Sequence, residues 1–248
     1  MILAIDAGNT RAKWGLADLA PDAVPQWRAT GAVALSDIEK LPDAWRSLPA
    51  PERIAVANVA GDAVRERLSR ALSQFGVTPQ WIRAAAAACG VKNLYDDPAQ
   101  LGCDRWAALV AAWNRVRGAC LVVNAGTATT VDMLSAAGEF RGGVILPGVA
   151  LMKKSLAENT AGLDLHEGSR RAEPRNTADA IETGCHEAQI GAIGRMYAHL
   201  SAGAACLVSG GGAAAIAASL SFATVVEHLT LEGIARLAAA RATQEIDA

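Results

Sequence analysis

The sequence has 248 residues, 52% of them hydrophobic and 19% charged, a balance typical of a globular protein with a packed core. A net charge of −2 provides no basic surface for nucleic acid, so no nucleic-acid partner is predicted. The five cysteines form no Cys-x-x-Cys pair, which favours reduced thiols and a cytoplasmic protein. Residues 201–226 carry no charge, but three consecutive glycines interrupt them, so we predict no membrane span.

The chain opens with five apolar residues that run into Asp6-Ala7-Gly8-Asn9-Thr10. The apolar run predicts a short strand buried on both faces of a sheet. Gly8 allows a tight turn, and Asn9 and Thr10 can donate to phosphate oxygens. The carboxylate of Asp6 can hold a hydrated Mg²⁺. An ordinary hairpin turn is the alternative, because Asp, Gly and Asn all favour turns.

A second copy of this pattern follows the apolar residues 120–123, at Asn124-Ala125-Gly126-Thr127. The two turns begin at positions 6 and 124, a separation close to half the chain. Such a distance indicates two similar domains, predicted at residues 1–116 and 117–248, and not a solenoid, whose repeats are several-fold shorter. Two such turns could grip a nucleoside triphosphate with Mg²⁺ across a cleft.

The rest of the first half predicts a mixed sheet with helices. Lys13, in the strand after the first turn, could reach a phosphate as a point charge. Further predicted elements are strands at 26–33, 53–59 and 80–84 and a helix at 63–74, capped by Asp62 and ended by Gly76. The order of strands and helices mixes hairpins with crossovers.

A chemically informative helix follows, and Asp97 before Pro98 predicts its start. A stripe of large apolar residues forms its buried face: Trp106, Leu109, Trp113 and Val116. Asp104 falls on the opposite side, in the early turns where the helix dipole favours an ionised carboxylate. Asp104 could then accept a hydroxyl proton, while Arg105 could pair with a substrate carboxylate. The alternative is an exposed aspartate at a helix start with an arginine beside it.

The second half predicts a strand that stops at Pro147-Gly148, a helix at 151–158, and a mobile flap at 160–176. Thr177 can cap a long helix that runs to about residue 200. Three glycines inside that helix, at 184, 191 and 194, favour a contact with a second copy of the chain. A last strand at 205–209 enters a glycine turn at 210–212, which suits the α-phosphate or base of a nucleotide.

Together these residues resemble the type III pantothenate kinase family, some members of which are called Bvg accessory factor. The family belongs to the acetate-and-sugar-kinase, Hsp70 and actin superfamily. The matching motifs occur in the family's order over the whole chain: Asp6–Thr10, Gly102–Arg105, Asn124–Ala128 with Asp132, and Gly142–Gly148.

The resemblance implies an α/β fold of two duplicated ribonuclease-H-like, actin-like ATPase domains. Each would hold a mixed five-stranded sheet flanked by helices, with ATP in the interdomain cleft. The implied reaction transfers a phosphoryl group from ATP to the hydroxyl of pantothenate and yields 4'-phosphopantothenate, the first step of coenzyme A biosynthesis. The resemblance also implies a homodimer, Mg²⁺ with ATP, and a monovalent cation, potassium or ammonium.

By position, the resemblance assigns Asp104 as the general base. It places pantothenate against Tyr95, Gly102, Cys103, Asp104, Arg105 and Thr177. It places ATP against Asp6, Ala7, Gly8, Asn9, Thr10, Arg11, Ala12, Lys13 and Thr127. The family usually has an aspartate, linked to the monovalent cation, where this chain has Asn124, so the oxygen offered here carries no charge.

Two other functions stay open on the sequence. One is a kinase of the same superfamily that acts on a different small hydroxy acid. The other is a non-catalytic nucleotide-binding regulatory or accessory factor. The intact pair of Asp104 and Arg105 and the near-neutral charge favour an enzyme.

Overall fold

The computed structural model describes residues 1–18, 23–160, 163 and 166–246. The chain forms two compact units. Unit 1 comprises Met1–Arg117, Gly138–Arg141 and the segment from His228 onward, and unit 2 comprises Gly118–Ala137 and Gly142–Glu227. The domain boundary expected after residue 116 stays a prediction.

Unit 1 is built on a mixed sheet of five strands, as predicted. The strands are β1 (Ile2–Ala7), β2 (Arg11–Asp18), β3 (Gln26–Ala34), β4 (Arg53–Asn58) and β5 (Gln80–Trp81). Their order is β3-β2-β1-β4-β5, and β1 is antiparallel to β2 and parallel to β4. Every residue of β1 is buried, as its aliphatic sequence predicts.

The other elements of unit 1 include helices and two very short strands. They are a 3₁₀ helix (Leu35–Lys40), α1 (Leu41–Trp45), α2 (Asp62–Leu72), a 3₁₀ turn (Ser73–Phe75), β6 (Ala87–Ala88), β7 (Val91–Asn93), a 3₁₀ turn (Pro98–Gln100), α3 (Cys103–Val116) and, after unit 2, the last helix of the chain (Leu229–Ile246). Trp14 and Trp45 meet edge to face at 6.1 Å in a core with Leu3, Ile5 and Leu68.

Unit 2 repeats the strand arrangement of unit 1. Its strands are β8 (Cys120–Ala125), β9 (Ala128–Leu134), β10 (Glu139–Pro147), β11 (Ala205–Ser209) and β12 (Ala223–Val225). The order β10-β9-β8-β11-β12 matches β3-β2-β1-β4-β5, and β8 is antiparallel to β9 and parallel to β11. Its helices are α4 (Val149–Asn159), α5 (Thr177–Tyr197) and α6 (Ala213–Ala217), so the last helix of unit 1 is α7.

One strand count differs from the prediction. In unit 1, the first residues of β10, Glu139 and Phe140, pair in parallel with β7, and β7 pairs with β6. The second sheet therefore has seven strands where five were predicted. The extra hairpin lies in an alanine-rich stretch without apolar–polar alternation, so its sequence carries no strand pattern.

Three predicted helix starts need correction. The helix that bears Asp104 begins at Cys103, because Asp97 caps only the short 3₁₀ turn that starts at Pro98. Gly61, and not the predicted Asp62, is the N-cap of α2. At α5 the cap is the Asn176 side chain, which accepts from the Asp179 N–H at 2.9 Å, and the predicted cap Thr177 is the first helical residue.

Two segments of unit 2 were predicted to be neither a membrane span, at 201–226, nor a regular element, at 160–176. Residues 201–226 fold as β11, the glycine turn, α6 and β12, and among the described residues no helix is long and apolar enough to cross a membrane. The segment 160–176 forms neither helix nor strand where it is described. Residues 161, 162, 164 and 165 lie outside the described part, and the mobility of this segment stays a prediction.

Candidate functional site

The first motif ends β1 and forms a tight hairpin turn. Asp6 and Ala7 belong to the strand, and the turn closes where the Gly8 N–H donates to the Arg11 carbonyl at 3.1 Å. Asp6 lies opposite Lys13 in the β1–β2 ladder, so both side chains are on the same face of the sheet. The turn therefore presents one carboxylate and one ammonium group side by side.

Asp6 is only 9% exposed, and its environment disfavours the ionised form. Burial, followed by the neighbouring charge of Asp104, raises the pKa of Asp6 to about 7, and Lys13 opposes the shift. Two carboxyl groups so close together repel each other as anions, and a cation would relieve that repulsion. Unit 1 thus brings Asp6, Lys13 and Asp104 together, although Asp104 lies far away in the sequence.

Asp104 occupies the first turn of α3, because this helix begins at Cys103 and not at the predicted Pro98. Its Oδ1 accepts from the Arg105 N–H at 2.8 Å, which fixes the carboxyl group at the helix start. A Cβ atom at Gly102 would lie 2.6 Å from that same Oδ1. Glycine is therefore required at residue 102 for Asp104 to hold this orientation.

Arg105 is buried and contacts aromatic rings. Its Nη1 donates to the Tyr95 hydroxyl at 3.2 Å, and its guanidinium centre is 5.8 Å from the ring centres of Tyr95 and Phe140. The Tyr95 and Phe140 rings are themselves 5.0 Å apart. Arg105 therefore holds Tyr95 in place beside the start of α3.

Cys103 is not a nucleophile at neutral pH. Burial, reinforced by the charge of Asp104, raises the pKa of its thiol to about 11. A buried, protonated thiol is unreactive. Cys103 is a buried side chain that forms part of the wall of the cavity described next.

A cavity of about 500 Å³ in unit 1 adjoins the start of α3. Gly102 and Cys103 form one wall of it. Among its other lining residues are Asn58, Asp62, Arg65, Trp81 and Arg83. The sequence motifs did not identify these five residues, because they come from β4, α2, β5 and the segment after β5 and share no local pattern.

In unit 2 the second and third predicted turns lie against each other. The Gly126 N–H donates to the Ala128 carbonyl at 3.0 Å and closes the second turn, and the Gly212 N–H donates to the Ala125 carbonyl at 3.0 Å. Gly210 has a φ of +98°, and a Cβ atom there would lie 2.4 Å from the Ala125 oxygen and 2.9 Å from Oδ1 of Asn124. The close approach of the third turn to the end of β8 therefore requires glycine at residue 210.

These turns line a second cavity, of about 680 Å³, whose polar wall was missed by sequence reasoning. Lys153 donates to Glu182 at 2.5 Å, and Nε2 of His186 lies 2.8 Å from both Arg170 and Ser219. Burial and the charge of Arg170 lower the pKa of His186, so its ring is neutral at pH 7. These residues come from α4, the segment before α5, α5 itself and the turn after α6, so no local motif connects all of them.

Two predicted site residues of unit 2 have different surroundings. Thr127 belongs to the second turn, where its carbonyl accepts from the Gly148 N–H at 2.9 Å. Thr177 lines a third, mainly apolar cavity with Met152, Leu156 and Ile181.

Within the described parts of the chain, no three His, Cys, Asp or Glu side chains cluster as metal ligands.

Comparison with known proteins agrees with these motifs. Residues 2–199 match the family model of type III pantothenate kinase. The type III pantothenate kinase of Aromatoleum aromaticum is 50% identical over 242 residues, which cover 96% of this chain and 98% of that protein.

Solved structures show the fold. A conserved Baf family protein from Campylobacter jejuni has a TM-score of 0.64 at 22% identity, over 97% of this chain and 99% of that one. A glucokinase from an Antarctic psychrotroph has a TM-score of 0.50 at 13% identity, over 96% and 98%. The predicted α/β fold of two ribonuclease-H-like domains is therefore confirmed. From its family-model match and its sequence identity to curated relatives, the chain belongs to the type III pantothenate kinase family.

Proposed function

We propose that this protein is an ATP-dependent kinase that converts pantothenate to 4'-phosphopantothenate, the first step of coenzyme A biosynthesis. Membership of the type III pantothenate kinase family supports the substrate and the reaction. The observation that carries the mechanism is the carboxyl pair of unit 1, in which Asp104 raises the pKa of Asp6. Phosphoryl transfer needs positioned charges more than covalent chemistry, and this pair supplies them.

Asp104 is the general base of the proposed mechanism. Its Oδ1 is held by the Arg105 N–H at the start of α3, which leaves acceptor capacity on the carboxylate for the proton of a substrate hydroxyl. Gly102, Cys103 and Arg105 surround it, and Arg105 orients Tyr95. In this proposal Tyr95 and Gly102–Arg105 in unit 1 bind pantothenate, and Thr177 contributes from unit 2.

ATP binds in this proposal to residues Asp6–Lys13 in unit 1 and to Thr127 in unit 2. The turn after β1 offers backbone N–H groups, and Lys13 adds a positive charge beside Asp6. The buried Asp6 carboxylate fits Mg²⁺, which takes one or two protein carboxylates and fills its other positions with phosphate oxygens and water. When bound, the ion neutralises charge on the phosphates.

Asn124 is the proposed contact for a monovalent cation, potassium or ammonium. Its Oδ1 lies beside Gly210, where the second and third turns of unit 2 meet. An amide oxygen suits a monovalent cation, since a hard cation accepts neutral oxygen ligands as well as carboxylates. The missing charge predicts weaker binding than an aspartate would give.

We also propose a homodimer formed through unit 2. Val144, Ile145 and Leu151 are large apolar side chains that stay exposed, Ile145 by 62%. The apolar cavity that Thr177 lines is formed mainly by α4, which bears Leu151, and α5. The three α5 glycines have no other atom within 4 Å of an added Cβ, so their face is open for a second copy.

Free thiols at all five cysteines suit a cytoplasmic enzyme.

A coupled assay of ADP release with purified protein, ATP and pantothenate tests the function. The proposal predicts ADP release that needs pantothenate and Mg²⁺. Release with a different small hydroxy acid but not with pantothenate would contradict the substrate. Salt-sensitive DNA binding without any ADP release would contradict the enzyme and favour an accessory factor.

A further inference from the structure

We propose that Glu182 binds the ribose hydroxyls of ATP and thereby makes the kinase select a ribonucleotide over its 2'-deoxy analogue. This inference rests on the proposed function, because it concerns the phosphoryl donor of that reaction. It assigns the cavity of about 680 Å³ in unit 2 to the nucleoside end of the donor.

The cavity adjoins two of the glycine turns of unit 2. Gly126 of the second turn and Gly212 of the third turn both line it. Gly126 directly precedes Thr127, the proposed contact of unit 2 with ATP. A nucleotide held at Thr127 can therefore extend past Gly126 into this space. A volume of this size is within the range of pockets for small molecules.

One face of α5 forms a polar wall of the cavity. Glu182, His186 and Gln189 all line it, and their spacing of four and three residues places them on the same side of the helix. His186 and Gln189 are buried, whereas Glu182 is half-buried. Glu182 is therefore the most accessible of the three to a ligand.

Lys153 of α4 holds the Glu182 carboxylate in place. Its Nζ donates to Oε2 of Glu182 at 2.5 Å, and each of the two side chains is 23% exposed. Among the described residues, no hydrogen bond reaches Oε1 of Glu182, so that oxygen is available as an acceptor. A carboxylate that accepts from sugar hydroxyls is a common means of recognising ribose.

The character of the wall favours the nucleoside over the phosphates. Glu182 is the single carboxylate among the described residues that line the cavity. An ionised carboxylate repels phosphate oxygens, but it accepts hydrogen bonds from the hydroxyls of a neutral sugar. Apolar side chains on the same wall offer a surface for the faces of a base: Val149, Ala150, Ala215 and Ile216.

The two cations of the wall have partners of their own. Nη1 of Arg170 lies 2.8 Å from Nε2 of His186 and 3.4 Å from the Ser219 hydroxyl oxygen. Lys153 is paired with Glu182. Turning either cation toward a phosphate would break these contacts. Glu182 is therefore the charged group of the wall that we expect to recognise the sugar.

The test compares ATP with 2'-deoxyATP, which lacks one of the two hydroxyls, at saturating pantothenate. Both are assayed on wild type and on Glu182→Met, which keeps a side chain of similar length without a charged acceptor. Wild type should prefer ATP in kcat/KM by about 10- to 100-fold, the effect of one hydrogen bond to a charged group. In Glu182→Met the preference should fall to within about 3-fold because KM for ATP rises, while KM for pantothenate stays within about 2-fold.

Two matched variants sharpen the test. Glu187→Met changes an exposed acid of α5 that does not line the cavity, and it should keep the wild-type preference. Glu182→Gln keeps the shape of the side chain and an acceptor for Lys153, so the packing of α4 on α5 is retained. Its preference for ATP should be about 5-fold lower than that of wild type, because the acceptor is no longer charged.

Equal use of ATP and 2'-deoxyATP by wild type would overturn the assignment. An undiminished preference in Glu182→Met or in Glu182→Gln would overturn it as well. Wild type that releases ADP from neither nucleotide would instead contradict the proposed function, so the two failures are distinguishable.

Discussion

Asp6 shows how a single buried side chain can combine a structural cost with a functional use. Burial and the charge of Asp104 raise its pKa from 3.8 to about 7. The carboxyl therefore stabilises the fold most when protonated, below about pH 4, and this contribution is lost as the pH rises toward 7. In the proposed mechanism, the same group in its ionised form binds the divalent cation that accompanies ATP.

Asp6→Asn should therefore stabilise the metal-free protein at high pH. Near pH 4 the aspartic acid is neutral, so the variant and wild type should have similar free energies of unfolding. Above pH 7 the variant should be more stable, by up to about 4 kcal/mol, because it avoids a buried anion. Urea denaturation in a chelator at both pH values measures the difference. Asp96→Asn, at an exposed site, is the control, and a difference for Asp6→Asn that does not change with pH would contradict this explanation.

Some site residues could be predicted from the sequence because their contacts are local. Asp6 and Lys13 belong to one hairpin, and Gly102 and Asp104 to one helix start, so short motifs determine their geometry. Arg65 and Trp81 come together only when β4, α2 and β5 pack. The pair of Arg170 and His186 likewise depends on tertiary structure, and the sequence predicted only a mobile flap over the segment that contains Arg170.

At the scale of elements, α3 and α7 pack with almost no space between their backbones. A Cβ atom at Gly233 of α7 would lie 1.7 Å from the Ala107 carbonyl oxygen of α3. Next to this contact, the buried Glu232 accepts from Arg115 at 2.7 Å. The contact explains a glycine in the middle of a helix, where alanine would otherwise be favoured.

Gly233→Ala should destabilise the protein, because the added methyl group forces the two helices apart. We expect a loss of about 1–3 kcal/mol in the free energy of unfolding, the usual effect of overpacking. Chemical denaturation measures it. Gly211→Ala, where no atom lies within 4 Å of the added Cβ, should change stability by less than about 0.5 kcal/mol. Equal stabilities for the two variants would show that α3 and α7 separate without cost.

Element boundaries were harder to predict than element types. Trp106 and Leu109 of the predicted stripe are buried, yet the helix begins at Cys103 and not at Pro98, because the Asp97 cap supports only a 3₁₀ turn. The strands β6 and β7 have two and three residues, too few for a periodic pattern.

At the scale of the whole molecule, duplication was the most informative pattern in the sequence. Two similar turns predicted two similar sheets, and the strand orders of the two units match. The sequence could not give the composition of the units, since α7 from the C-terminal end packs in unit 1 against α3. That packing depends on tertiary contacts between segments more than 100 residues apart, such as Arg115 with Glu232.

The proposed homodimer predicts that a charge at Ile145 disrupts association. Ile145 is 62% exposed, and a buried, unpaired glutamate would destabilise an apolar interface. Ile145→Glu should therefore sediment as a monomer at concentrations where wild type is a dimer. Val24→Glu, at an exposed apolar residue of unit 1, should sediment like wild type. A dimer that persists in Ile145→Glu would place the interface elsewhere.

Direct detection of 4'-phosphopantothenate by mass spectrometry, in wild type and Asp104→Asn, tests the central claim that Asp104 is the base of a pantothenate kinase. Wild type should form the product from ATP and pantothenate. Asp104→Asn should retain its fold and its KM for ATP but lose about 10²–10⁴-fold in kcat, the usual contribution of a general base. Product formation by Asp104→Asn at the wild-type rate would contradict the claim.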